Sequence, residues 1–200
     1  DDIKVLLVIH PRNLPEETEY AIDQYVLRGG KLVAFVDPYA YFDQQPSPMP
    51  GIGGGGTSSS LPTLFKAWGV EMNPGKVIAD VVFASGAGQR YTPTVLTLNR
   101  TSFNRDDVIT SQIETLLYAF GGAFEVKPAE GLKVTELVKS SPNSMLVDNI
   151  VSTVSGEAAM KVVRMAMSGM AARSSRISAR KFCADCPASG YSQSISAPSS

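Results

Sequence analysis

The strongest candidates for acid–base chemistry in this chain are one histidine and one aspartate. His10 is the only histidine among the 200 residues, and it directly follows an apolar run at residues 3–9. Asp37 follows a second apolar run at residues 31–36. If both runs are parallel strands, these side chains lie where the strands end, the edge at which open α/β sheets bind ligands. His10 would act there as a general base with Asp37 as its partner, although the sequence favours the alternative that both residues orient loops by hydrogen bonds.

Nucleophilic and metal chemistry lack the residues that they need. A Ser-His-Asp triad or an ordinary zinc site would have to use His10, which has no cysteine nearby to complete three ligands. No Gly-x-Ser-x-Gly elbow occurs, and both cysteines, Cys183 and Cys186, lie near the end of the chain. Their spacing fits a redox pair, half of a metal site or a small disulfide, but the serine-rich surroundings favour an incidental pair. We therefore expect a protein that is not an enzyme and binds no metal.

The glycine-rich run at residues 51–56 matches the G-x-G-x-x-G spacing of dinucleotide-binding loops. That fingerprint requires a strand before it and a helix after it, whereas the residues before this run are QQPSPMP. A phosphate-binding loop would also need a lysine after the last glycine, where Thr57 stands. The pattern therefore indicates a loop over residues 43–60, rich in proline, glycine and serine, and we expect no cofactor.

The balance of charge bears on possible partners. The chain has 18 lysines and arginines against 19 aspartates and glutamates, a net charge of −1. A general nucleic-acid binder would carry a basic surplus, so we expect no nucleic-acid partner. No uncharged apolar stretch is long enough to cross a bilayer. Because the sequence has neither an initiator methionine nor a signal-peptide pattern, we expect it to be a piece of a longer protein.

The elements that would position the histidine and the aspartate form a strand–helix–strand unit. The nearly continuous apolar run before His10 predicts a strand buried on both faces. Asn13 stands three residues before a glutamate, the spacing of a capping box, and Pro15 suits the first turn of a helix. The pair Gly29-Gly30 ends this helix. We therefore predict an α/β fold: a Rossmann-like open sheet of mainly parallel strands in three layers, with an irregular C-terminal tail.

Apolar periodicity predicts short elements further along the chain. We expect a helix at 61–68 capped by Ser60, strands at 76–80, 94–98, 123–127 and 132–138, a helix from Asp106 or Asp107 to Phe120, and a loop at 140–144. Residues 157–182 are rich in methionine and arginine at helical spacing, typical of a helix that lies on a membrane, enters a partner's groove or docks on its own domain. We predict a domain at 1–156, this helical segment at 157–182, and a disordered tail at 183–200.

Several stretches of the sequence resemble one known family. They are VIHPRNLPE at 8–16, YAIDQYVLRGG at 20–30, FVDP at 35–38, LFKAWGV at 64–70, PGKV at 74–77 with Asp80, NRDD at 104–107 and SSPNS at 140–144. Together they are similar to the GldG-type auxiliary components of ABC transport systems, which are related to gliding-motility proteins. The resemblance covers about residues 3–150, and the segment beyond it departs from the family's pattern.

The resemblance implies a non-catalytic module of a bacterial inner-membrane protein, on the periplasmic side, anchored through segments outside this chain. It implies ABC permease and ATPase subunits and other membrane components as partners, reached through protein contacts. It transfers no catalytic residue. The candidate binding or contact residues are those around the two strand ends: His10, Pro11, Asn13, Asp37 and Pro38. The alternative is a module that binds a small ligand in the crevice at the C-terminal ends of the strands.

Overall fold

The computed structural model describes residues 3–44, 56–86, 91–149, 156–169 and 179–183, over which the chain forms mostly short strands. The helices are α1 (Glu16–Leu27), α2 (Pro62–Trp68) and α3 (Gly156–Gly169). The strands are β1 (Val5–Ile9), β2 (Lys31–Phe35), β3 (Ala40–Gln44), β4 (Gly56–Thr57), β5 (Val70–Met72), β6 (Lys76–Asp80), β7 (Ala84–Ser85), β8 (Thr92–Asn99), β9 (Thr115–Ala119), β10 (Phe124–Val126), β11 (Lys133–Val138), β12 (Ser144–Asp148) and β13 (Ala179–Cys183). Most of the predicted loop at 43–60, Cys186 and the rest of the predicted tail lie outside the described residues.

The predicted strand–helix–strand unit is confirmed at the start of the chain. β1 and β2 pair in parallel, with Val5 opposite Lys31 and Ile9 opposite Phe35. α1 connects them. Gly29 ends the connection with a φ of 90°, a left-handed conformation that glycine adopts without a clash.

The start of α1 differs from the predicted capping box. Pro15 is the N-cap residue, and no side chain makes a capping hydrogen bond there. Asn13 lies two positions earlier with a left-handed φ of 49°. It therefore turns the chain ahead of the helix instead of capping it.

The second predicted helix is confirmed as α2, but its cap is wrong. Leu61, not Ser60, is the N-cap residue, and its side chain cannot accept a hydrogen bond. The acceptor comes from α1, where the buried carboxylate of Glu19 accepts the backbone N–H of Leu64 at 2.8 Å. Because the first N–H groups of a helix need an outside partner, this bond fixes the start of α2 against α1.

The remaining sheets contradict the predicted Rossmann-like open sheet of mainly parallel strands in three layers. Among the described strands, only β1 and β2 are parallel; β3–β4, β5–β10, β6–β12, β7–β8–β9 and β11–β13 are small antiparallel sheets. A parallel pair requires a long crossover, usually a helix. The helix predicted from Asp106 or Asp107 to Phe120, which would serve as such a connection, does not form, and β8 and β9 pair antiparallel.

The helix predicted for residues 106–120 is wrong because side-chain bonds and strand pairing compete with it. The Asp107 carboxylate accepts the backbone N–H of Ile109 at 2.9 Å, and the Thr110 hydroxyl donates to the Asn104 carbonyl at 2.6 Å. Such local bonds offer the backbone an alternative to a helix. The second half of the segment is β9, which pairs with β8 along its whole length.

Other predicted elements are confirmed with small differences in their bounds. The strands expected at 76–80, 94–98, 123–127 and 132–138 are β6, β8, β10 and β11. In the segment predicted to be helical at 157–182, α3 is the helix at the start, whereas residues 179–182 and Cys183 of the predicted tail form the strand β13. Residues 170–178 between them lie outside the described part of the chain, and the domain boundaries at 156 and 182 stay predictions.

The core is organised around β6. Ile78 packs on one face of this strand with a cluster of side chains from β8, β11 and the turns beside them: Phe83, Leu96, Leu98, Phe103, Ala123, Leu137 and Val138. Val77 and Ala79 pack on the other face with Tyr39, Val147 and Val163, so that α3 covers this side through Val163. A third cluster, formed by Ile22, Leu61 and Leu64, joins α1 and α2 to one face of β1 and β2.

Candidate functional site

The predicted site residues lie where β1 and β2 end, next to β3 and β4. His10 follows β1, and its backbone N–H donates to the Phe35 carbonyl at 2.9 Å. Its φ of 49° is left-handed, which is uncommon outside glycine and asparagine, and it turns the chain away from the strand. The ring Nε2 lies 3.3 Å from the Asp43 carboxylate and 3.2 Å from the Thr57 hydroxyl. The ring of His10 is therefore paired with Asp43 and not with Asp37.

Asp43 is the centre of this cluster. Its Oδ2 accepts from the Arg12 guanidinium at 2.8 Å, and it also accepts from the Thr57 hydroxyl. The hydrogen bond from Thr57, followed by the charge of Arg12 and the contact with His10, lowers the pKa of Asp43. The carboxylate is therefore ionised at neutral pH, and it ties the end of β1 to β3 and β4.

This arrangement does not form a nucleophilic relay. In a Ser-His-Asp triad the hydroxyl and the carboxylate face different ring nitrogens, so that one nitrogen is oriented while the other takes the proton. Here Thr57 and Asp43 both face Nε2 of His10, and the Thr57 hydroxyl is bonded directly to the carboxylate. The geometry is that of side chains that orient loops by hydrogen bonds.

Asp37 holds a different part of the chain. Its Oδ1 accepts the Tyr39 backbone N–H at 2.8 Å, and its own backbone N–H donates to the Ser59 hydroxyl at 2.8 Å. Burial raises the pKa of Asp37, while the bond from Tyr39 and the nearby charge of His10 partly oppose this rise. Burial, followed by the charge of Asp37, raises the pKa of Tyr118. Asp37 is thus a half-buried carboxylate that stabilises the turn after β2.

The crevice at the strand ends is filled by the chain itself. The Ser59 backbone N–H donates to the Asp37 carbonyl at 2.8 Å, and the Ser60 N–H donates to the Pro11 carbonyl at 3.1 Å. Pro11 and Pro38 are both buried. Residues 57–60 therefore lie where the alternative interpretation placed a small ligand.

A separate cleft of about 590 Å³ opens beside this cluster, between the start of α1, α2 and the β5–β10 pair. Of the predicted site residues, Asn13 lines this cleft. Its lining also includes the charged residues Arg12, Glu19, Lys66, Glu71, Glu125 and Lys127. A cleft of this volume is in the range of small-ligand sites.

Sequence reasoning missed Arg12, Asp43 and Thr57. Arg12 and Asp43 are 31 residues apart in the chain, and no local periodicity links them. The available signal was the loop at 43–60, since Asp43 and Thr57 lie near its two ends and a long loop between paired strands brings its ends together.

Asp80 organises the predicted loop at 140–144. The carboxylate is fully buried at the end of β6. Its Oδ1 accepts the backbone N–H groups of Val82 and Phe83 at 2.8 and 3.2 Å, and the Ser141 hydroxyl at 2.8 Å. Its Oδ2 accepts the Ser141 backbone N–H at 2.8 Å. The motif residues Asp80 and Ser141 therefore have a structural role.

One face of the β1–β2 pair is exposed, which contradicts the prediction that β1 is buried on both faces. This open face consists of six large apolar side chains at alternate positions, between 43% and 66% exposed: Ile3, Val5, Leu7, Ile9, Val33 and Phe35. The opposite face packs against α1 and α2 through Leu6, Val8 and Leu32. No helix or strand in the described part of the chain covers the open face.

None of the three helices described combines the length and the apolar character needed to cross a bilayer. Among the same residues, no group of three or more histidine, cysteine, aspartate or glutamate side chains is placed to hold a metal ion.

Comparison with known proteins identifies the family. A family model described as an ABC-type uncharacterized transport system auxiliary component matches residues 1–163. The chain belongs to this family. It is also 25% identical over 151 residues to an uncharacterized protein of Borreliella burgdorferi, an alignment that covers 73% of this chain and 29% of the relative. The chain thus spans less than a third of that relative's length. No solved structure matches the chain significantly.

Proposed function

We propose that this chain is a non-catalytic module that joins an ABC transport system through protein contacts, on the extracytoplasmic side of a bacterial inner membrane. The family supports the association with a transport system. The open face of β1 and β2 supports the mode of association. The GldG-type likeness of the sequence motifs supports the location and the relation to gliding-motility proteins.

The open face is the observation that carries the proposal. Parallel strands are normally covered on both faces, and in the part of the chain that the structure describes the helices cover only one. The six exposed side chains present roughly 600 Å² of apolar surface, which reaches the upper end of what a monomer exposes and approaches one side of a standard interface. We assign this surface to an apolar segment of a permease subunit, or of a subunit bound to it, in the same transport system.

The strand-end cluster supports a role without catalysis. The imidazole of His10 and the hydroxyl of Thr57 are both held by Asp43, so neither is positioned to attack a substrate. The cluster fixes the turn that follows the open face, because His10 comes directly after β1. Its role is therefore structural, at the end of the face.

The test is purification of the full-length protein from host membranes together with its bound subunits. Leu7→Lys combined with Val33→Lys places two charges in the centre of the open face. We expect this variant to retain less than about a tenth of the permease and ATPase subunits that the wild type retains, because burial of an unpaired charge is costly. Val108→Lys, at a side chain that is 83% exposed elsewhere, is the matched control and should retain them.

Retention of the same subunits by the double variant contradicts the assignment of the open face. If the wild type dimerises, and the double variant is monomeric but retains the same subunits, the open face binds a second copy of this chain instead. The location is tested separately with a cysteine introduced at Val108 in a Cys183→Ser, Cys186→Ser background. We expect a membrane-impermeant maleimide to label it in intact spheroplasts, and labelling only after lysis contradicts an extracytoplasmic position.

A further inference from the structure

The cleft between α1, α2 and the β5–β10 pair contains an unusual set of charges. Glu71 of β5 and Glu125 of β10 are direct cross-strand partners, and both exposed residues line the cleft. Like charges directly opposite each other destabilise a sheet. Neither glutamate has an ion-pair partner among the residues that the structure describes. The sheet therefore presents two exposed carboxylates, without ion-pair partners, to this cleft.

A third carboxylate in the cleft is buried. Glu19 is 2% exposed, and its Oε2 accepts the Leu64 N–H. Its second oxygen, Oε1, accepts a hydrogen bond from no residue in the described ranges, although Glu19 lines the cleft. In the described residues, the fully enclosed side-chain atoms without a partner are Thr94 Oγ1 and Ser102 Oγ, so Oε1 of Glu19 is open to the cleft. This oxygen can therefore accept a hydrogen bond from a group bound in the cleft, such as an ammonium group.

Two cations line the same cleft. Lys66 is on α2, and Lys127 follows β10; within the described residues neither forms an ion pair. The backbone of Lys127 is fixed, because its N–H donates to the Gly69 carbonyl at 2.8 Å and its own carbonyl lies where a side chain at position 69 would have to be. The third cation, Arg12, is already bound to Asp43. The cleft thus offers cations as well as carboxylates.

The remaining lining gives the cleft an apolar wall and neutral donors. Leu14 and Phe65 supply apolar surface, while Asn13, Ser58 and Ser60 supply polar groups. An apolar surface with a few polar groups of both charges is the usual composition of a small-ligand site.

We propose that this cleft binds a zwitterionic ligand of amino-acid or dipeptide size. Glu19 receives the ligand's ammonium group in the field of Glu71 and Glu125, and Lys66 and Lys127 receive its carboxylate. The apolar wall receives an aliphatic side chain. This site is independent of the open face, since it lies on the side of β1 and β2 that the helices cover.

The test is titration of the isotope-labelled chain, monitored by amide resonances, with leucyl-glycine and with free leucine. The same titrations use two blocked forms of the dipeptide, N-acetylated to remove the ammonium and amidated to remove the carboxylate. We expect saturable binding of leucyl-glycine or leucine with a dissociation constant of about 1 mM or below. Each blocked form should bind at least about tenfold more weakly, because one charged pair is lost.

Variants locate the site. Lys127→Gln and Glu71→Gln should each weaken binding of the unblocked ligand by about tenfold, which corresponds to about 1.4 kcal/mol. Glu130→Gln and Lys139→Gln change exposed charges outside the cleft and should leave binding unchanged. Retained dispersion of the amide spectrum shows that each variant is folded.

Three outcomes would overturn the proposal. The first is the absence of saturable shifts with both ligands at about ten times the expected dissociation constant. The second is equal binding of blocked and unblocked forms, and the third is binding that Lys127→Gln does not change. The relative affinities of leucine and leucyl-glycine distinguish a free amino acid from a peptide as the ligand.

Discussion

The strands β1 and β6 have similar apolar sequences but differ in how far their side chains are buried. In β6, Val77, Ile78 and Ala79 are all fully buried, because one hydrophobic cluster packs on each face of the strand. In β1, Leu7 and Ile9 remain 55% and 66% exposed, because the helices cover only the other face. The difference shows that burial is decided by what packs against a strand and not by the strand's own hydrophobicity.

The residues that end the two strands differ in the same way. Asp80 ends β6 and is fully buried, with four hydrogen bonds between 2.8 and 3.2 Å. His10 follows β1, and its ring is partly exposed with two longer contacts of 3.2 and 3.3 Å. Both residues tie distant loops to a strand end, but only Asp80 does so inside the core. We therefore expect β6 to determine stability and β1 to be available for binding.

The largest effect is expected at Asp80. Asp80→Ala should lower the free energy of unfolding by about 4 kcal/mol, because it leaves buried N–H and hydroxyl donors without an acceptor. Urea denaturation measures the change, and Asp80→Asn, which keeps one acceptor oxygen, should cost about half as much. Asp148→Ala is the control. It removes an exposed pair with Lys76 at 2.8 Å and should cost less than about 1 kcal/mol. Similar losses at Asp80 and Asp148 contradict the structural role of Asp80.

A matched pair of truncations compares the strands directly. Ile78→Ala should lower the free energy of unfolding by about 3 kcal/mol, because it creates a cavity in the core. Leu7→Ala should lower it by about 1 kcal/mol, because that side chain is already half in water. Both values come from the same denaturation experiment. Losses of equal size in the purified chain would mean that the β1 face is covered in solution. They would contradict the difference in burial between β1 and β6.

A smaller effect is expected at His10. His10→Gln should lower the free energy of unfolding by about 1 kcal/mol, the net contribution of one partly exposed hydrogen bond. His10→Asn favours the left-handed backbone but is too short to replace the ring, so it separates the turn from the hydrogen bond. Transport in the host should persist in both variants. A folded variant without transport activity makes His10 part of a functional contact.

The smallest effect is the dependence of stability on pH at the two carboxylates near β1. The pKa of Asp43 is lowered from 3.8, so this group stabilises the fold above pH 3.8, and that contribution is lost as the pH falls through the lowered pKa. The pKa of Asp37 is raised from 3.8, so the folded state holds its proton more tightly, and stability decreases as the pH rises from 3.8 through the raised pKa.

Denaturation of Asp43→Asn and Asp37→Asn across acidic pH tests both signs. The advantage of the wild type over Asp43→Asn should increase as the pH rises through the window below 3.8. The advantage of the wild type over Asp37→Asn should decrease as the pH rises through the window above 3.8. If stability changes with pH in the same direction for both variants, the opposite pKa shifts of Asp43 and Asp37 are contradicted.

The sequence by itself determined the elements whose signals are local. The unit of β1, α1 and β2 follows from two apolar runs around a helix that ends at Gly29-Gly30, and α2 and β6 follow from spacing within about seven residues. The sequence alone also argues against a catalytic relay centred on a cysteine or on a Gly-x-Ser-x-Gly elbow, because both cysteines lie near the end of the chain and no such elbow occurs. The motifs also carry the family, which the comparison confirms at the level of an ABC transport auxiliary component.

Only the tertiary structure decided the direction of the later strands, the open face of β1 and the partner of His10. The segment at 106–120 has helical spacing, but β9 gains a full antiparallel ladder with β8. The ring of His10 has Asp43, 33 residues away, as its partner. Periodicity and caps act over a few residues, whereas pairing, burial and hydrogen bonding join residues that are distant in the chain. Such contacts exist only after the chain has folded, so a local pattern does not encode them.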